Sequence, residues 1–203
     1  MAILMPHTKK ACAKKLVGAM HAVLSSQTDA AQGILDRYGI NDNLSDDFAY
    51  PLVLNFLNDL LFAAPTLTMS RGWQGNAYVY YFNEGNPWDG PWEGQASHIL
   101  DVAYLFQNFR EFLTPSQQAV AAAFADDIFR YCYGAAPWPA IQQGETTGFT
   151  ARTYGPSEQN ETAGQTNEPF GDQGKRRSIL FDYGDQVSLD DLTKVFTVFK
   201  SLT

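Results

Sequence analysis

Two cysteines in 203 residues, Cys12 and Cys132, are too few and too far apart for a disulfide framework, and they form no Cys-x-x-Cys pair. Both read as small buried hydrophobes. Histidine is as scarce. His7, His21 and His98 are scattered and form no metal-ligand cluster, so a zinc centre is not expected. Basic residues are outnumbered, 14 Lys and Arg against 22 Asp and Glu, giving a formal net charge of −8. Nucleic acid requires a basic footprint, so it is excluded as a partner, and the same charge disfavours an anionic membrane surface. No apolar run approaches the length of a membrane span, and the opening MAILMPHTKK lacks the apolar core of a signal peptide. Cytoplasmic and secreted locations both stay open. Asn160-Glu161-Thr162 fits a glycosylation acceptor, a triplet that is common by chance.

Aromatic residues are plentiful at 14 %, with 45 % apolar and 18 % charged residues overall, the profile of a globular chain with one sizeable core. No composition break divides residues 1–203. Thr8 to Ser26 reads as an amphipathic helix capped by Thr8, with Leu16, Met20 and Leu24 inward and Lys9, Lys10, Lys14 and Lys15 on a solvated face. His7 and His21 belong to that surface and carry no assigned role. Asp29 caps a short helix, Ala30 to Tyr38, which Gly39 closes. Ser45 to Met69 is strongly helical, with Pro51 in a first turn and Pro65 kinking or dividing it. Asp59 within it reads as a structural carboxylate anchored by hydrogen bonds, and Phe62 as core packing. Thr114-Pro115-Ser116-Gln117 starts a helix that runs to Gly134. Residues 139–177, without periodicity, read as a long irregular loop. Arg176 to Asp185 reads as a strand and turn, and Ser188 caps a terminal helix, Leu189 to Phe199.

The stretch from Gly75 to Phe106 organises the rest. Ala77, Val79 and Tyr81 alternate with Tyr78, Tyr80 and Phe82, and both sets suit a strand covered on both faces. A loop crowded with Gly, Pro and Trp follows from Asn83 to Gly94 and delivers His98 at the head of the apolar run Ile99 to Phe106. A lone histidine is most often a satisfied core or loop residue. A strand whose following loop presents one imidazole is also how an open α/β sheet places an acid–base group at its rim. Trp88 and Trp92 read as a lip over such a site or as a surface aromatic cluster.

The run YVYYF, the Gly/Pro/Trp loop and ASHILDVAYLF together resemble the histidine segment of the type-B carboxylesterase family, the carboxylesterase- and cholinesterase-like α/β-hydrolases. That segment reads S/A-H-x-x-[DE]-[ILVA]-x-[FY]-[VIL]-F, and Ser97, His98, Asp101, Tyr104, Leu105 and Phe106 fill its places. The family's short helix ending in tyrosine, its aspartate before a proline and its late helix resemble ILDRYG, NDLLFAAP and TPSQQAVAAAFADDIFRYCYG.

The resemblance implies an α/β fold, the C-terminal part of an α/β-hydrolase with mostly helices around a few sheet strands. It implies a small carboxylic ester as substrate, no cofactor, and His98 as the base that takes a serine proton and returns it to the leaving alcohol. Asp101 would fix the loop rather than pair with His98. The family's order of serine, glutamate, histidine puts both partners upstream. These 203 residues contain no Gly-x-Ser-x-Gly and no Gly-Gly-rich oxyanion segment, so this stretch by itself is not expected to turn over esters. Two other classes stay open: a binding or adhesion module of the same fold without catalysis, and an inactive fragment with exposed apolar edges.

Overall fold

The computed structural model describes residues 6–141, 149–159, 161–167 and 171–203. It is a mixed α/β structure, mostly helical, with a small sheet of three strands. The chain divides into two compact units, Met1–Thr68 with Pro169–Thr203, and Met69–Glu168.

The first unit is helical. After a 3₁₀ turn at Pro6–Lys9 come α1 (Cys12–Val23), α2 (Thr28–Tyr38) and α3 (Asp46–Asn58). Thr8 lies in that 3₁₀ turn rather than capping α1, whose first turn is tied instead by the Ala11 N–H donating to Asp46 Oδ1 at 2.8 Å. Asp29 sits in the first turn of α2 behind an N-cap at Gln27, and Pro51 falls inside α3 rather than at its start. Gly39 closes α2 in a left-handed conformation (φ 67°), as its sequence position predicts.

Pro65 does not divide the helix. A π-helical turn, Asp59–Ala63, links α3 to α4 (Ala64–Gly72), which carries the chain toward the second unit. A proline ring collides with the carbonyl four residues back, here Leu61, and a widened turn relieves that collision without breaking the rod. By length and composition, Asp46–Gly72 is the single candidate membrane span among the described residues. It supplies Ala49, Val53, Phe56, Leu57, Leu60 and Ala64 to a core and buries Asp59, so it carries the load of a core helix.

The segment from Arg176 to Asp185 is not a strand. It lies largely in α7 (Gly171–Asp182), followed by α8 (Leu189–Ser201). Three apolar residues in a row, Ile179 to Phe181, suit either structure, and contact decided it: Ile179 and Leu180 join the core with Val195 and Phe199 of α8. Arg176 of α7 binds Asp59 Oδ2 through Nε and Nη2, each at 2.8 Å, and Tyr38 OH donates to the same oxygen at 3.1 Å. Asp59 is 1 % exposed, so the anchored structural carboxylate expected from sequence is what the fold contains. Phe62 is exposed rather than packed.

The second unit holds β1 (Tyr80–Phe82), α5 (Leu100–Leu105), α6 (Pro115–Cys132), β2 (Thr150–Tyr154) and β3 (Ala163–Asn167). Strand order is β1-β2-β3, with β1 parallel to β2 (Tyr80 opposite Arg152) and β2 antiparallel to β3 (Thr150 opposite Asn167). Residues 139–177 are therefore not one irregular loop: β2, β3, a 3₁₀ turn at Ser157–Gln159 and the start of α7 all fall within them. The strand expected over Ala77–Phe82 is short and lies at the sheet edge. Val79 is buried but Tyr80 is partly exposed.

Phe82, Tyr104, Phe124, Trp138 and Tyr154 pack ring against ring in this unit's core, edge-on for Phe82–Tyr104 and Trp138–Tyr154 and tilted for Phe82–Phe124 and Phe124–Tyr154. Asp127 of α6 locks onto β2, accepting from Arg152 Nε at 2.8 Å and from Tyr154 OH at 2.9 Å. Thr114 caps α6 as read from the sequence, and Gln117 completes a reciprocal capping box with it. Cys12 is buried, whereas Cys132 is exposed at the end of α6, because the helix end that carries it faces away from the core. Asn160 lies outside the described residues.

Candidate functional site

His98 sits in the turn between the Gly/Pro/Trp loop and α5, and it is exposed. It is a loop histidine, not a core one. Two features hold it in place.

The first is the loop, which is folded back on itself rather than open. Asn86 N–H donates to Gln95 O (3.0 Å), Gly94 N–H to Asn86 O (2.9 Å), and Gln95 N–H to Trp92 O (3.1 Å). Gly85 permits this closure, since a Cβ there would stand 3.1 Å from the backbone of Gly94. Trp88 is half-buried with its ring edge-on to Phe109, and Trp92 is half-buried, so the two tryptophans are built into the loop.

The second is the tie between α5 and the sheet. Tyr80 OH donates to Asp101 Oδ2 at 3.2 Å, so the acidic residue three positions after His98 fastens its helix to β1. Burial first, and then the Asp101 charge, pushes the Tyr80 phenol from 10 up to about 12. Burial pushes Tyr104 and Tyr154 higher still. A group whose folded pKa is raised stabilises fully below its unfolded value and loses that contribution as pH rises through the folded one. The stability that rests on a neutral, partly buried Tyr80 phenol is therefore complete below about pH 10 and fades toward about pH 12. Denaturant unfolding of Tyr80→Phe between pH 8 and 11 should show a shallower alkaline decline than the parent; identical profiles would mean that the Tyr80 phenol is not shifted by folding.

Ile99, the N-cap of α5, lies in the left-handed region (φ 67°, ψ 1°). A β-branched residue there is strained by roughly 1–2 kcal/mol. Gln107 and Phe109, just past α5, also have positive φ. Ile99, Val102 and Phe106, at the ends and on the outside of α5, are exposed, as are Phe109 and Phe112 beyond it.

Sequence reading missed Glu84. This carboxylate, just past β1, is 1 % exposed and accepts from the Ser157 N–H and Oγ–H, each at 2.8 Å. Gly155 (φ 76°) makes room for it; a Cβ there would lie 2.6 Å from Glu84 Oε2. Nothing local marks Glu84 as buried, because its partner lies 73 residues away. Glu84 fastens the start of the histidine loop to the segment after β2. An open depression of about 330 Å³ beside the first turn of α6 is lined by Pro115, Ser116, Ala119, Ser157 and Thr162, without His98.

Among the described residues, no group of three or more His, Cys, Asp or Glu side chains could hold a metal ion. An exposed imidazole on a fastened turn can in principle take up or give up a proton. No family model, curated protein or solved structure matches the chain.

Proposed function

We propose that this chain is the C-terminal, histidine-bearing portion of a serine carboxylic-ester hydrolase of the α/β-hydrolase fold, with His98 as general base and then general acid. The observation that carries the reading is the placement of His98: exposed after β1 and a closed loop, at the head of a helix that Asp101 ties to Tyr80. An exposed imidazole can come within hydrogen-bond reach of a substrate, as a histidine buried in the core cannot. The serine nucleophile, the glutamate that orients the imidazole and the oxyanion donors would come from sequence outside these 203 residues.

The test is direct. Sequence in frame upstream of Met1 should encode Gly-Glu-Ser-x-Gly followed by an acidic residue. The joined protein should hydrolyse p-nitrophenyl esters and take up a serine-reactive fluorophosphonate. A joined protein with that serine but no hydrolysis of any carboxylic ester would sink the reading. One observation favours a second reading, a catalytically inactive binding or adhesion module: the exposed Phe106, Phe109 and Phe112 form more apolar surface than an isolated proton relay requires.

A further inference from the structure

Resting on the reading of His98 as the proton-transferring base, we propose that Ile99 is a specificity-determining residue that contacts the hydrocarbon part of the leaving alcohol. Two observations carry it. The first is the backbone. Ile99 holds φ 67° and ψ 1°, a conformation glycine adopts freely and a β-branched residue resists. Two backbone bonds hold the turn around it: Leu100 N–H donates to Ser97 O and Ala103 N–H to Ile99 O, each at 3.2 Å. Strain retained in this way clusters at ligand contacts.

The second is exposure. The Ile99 side chain is 56 % exposed, so core packing does not account for a branched hydrocarbon at a position suited to glycine. Val102, one turn further along α5, is exposed as well and extends the same apolar strip away from His98.

The chemistry connects them. In acyl transfer the serine Oγ–H proton passes to the imidazole as the Oγ–C bond forms. The C–O bond to the alcohol then breaks, and the same proton goes to the departing oxygen; water hydrolyses the acyl-enzyme. That departing oxygen must come within hydrogen-bond reach of His98. The alkyl group it carries then lies beside the residue next to the imidazole. A branched apolar side chain there favours alkyl alcohols over charged or polyhydroxylated ones.

The experiment uses the complete serine-bearing enzyme and compares kcat/KM across acetate esters of methanol through hexanol, then across acyl chains at a fixed alcohol. Ile99→Ala should compress the preference for longer alcohols by about tenfold while the acyl profile keeps its shape. Ile99→Val should retain the preference. Ile99→Gly should lose it while raising Tm, which separates the side-chain contact from folding. An unchanged alcohol profile in both the alanine and glycine variants, with His98→Ala inactive, overturns the inference and leaves the esterase reading standing. Full activity in His98→Ala overturns both.

Discussion

His98→Ala in the serine-bearing enzyme should lower kcat for carboxylic esters by about 10⁴-fold or more, the scale on which loss of the base disables a serine hydrolase. That corresponds to about 5 kcal/mol of transition-state stabilisation. The effect should fall on kcat rather than on substrate binding, because the imidazole acts on the proton in flight. His98 is exposed and no hydrogen bond to its side chain supports the fold among the described residues, so unfolding of the variant should match the parent. That separates a chemical role from a structural one. Added imidazole should recover part of the lost rate by filling the vacated space. Stopped-flow hydrolysis of a p-nitrophenyl ester measures both, and a variant within tenfold of the parent removes His98 from the mechanism.

Arg176→Met should destabilise the first unit by about 3–5 kcal/mol, the largest expected loss from any single change outside the hydrophobic core. Asp59 is buried in a π-helical turn, and its Oδ2 takes all three hydrogen bonds of the cluster, two from Arg176 and one from Tyr38. Its Oδ1 has no partner among the described residues, so Arg176 supplies nearly all the compensation the carboxylate receives. Removing the guanidinium strands a buried charge. It also frees α7, which the same residue holds by lying over the Tyr38 ring, 5.6 Å from its centroid. The double variant Asp59→Leu/Arg176→Met should recover much of the loss, because both charges leave together. Urea unfolding of the parent, both single variants and the double variant gives the coupling. Additive losses would show that the pair is not a unit.

Several helices and some of their ends were legible because their determinants lie close together in the chain. Thr114 caps α6, Ser188 caps α8, and Gly39 closes α2, each a signal of neighbouring residues. The burial of Asp59 was legible too, since a carboxylate among Leu60, Leu61 and Phe62 has to be anchored. His98 stood out because one imidazole followed a strand, a turn-rich loop and preceded an apolar run.

What the sequence could not display were partnerships between distant residues. Tyr80 opposite Arg152 makes β2 a strand, and β3, Ala163–Asn167, is a polar segment that becomes a strand only by pairing with β2. Arg176 opposite Asp59 goes with the short apolar run after it being helical, and Ser157 on Glu84 buries a charge that nothing nearby announces. By itself the sequence determined most of the helical segments and the caps of α6 and α8, because hydrophobic period and capping act over a few residues. The tertiary structure decided the sheet, the identity of α7 and the fastening of the histidine loop, because pairing and burial of charge depend on groups that meet only after the chain has folded.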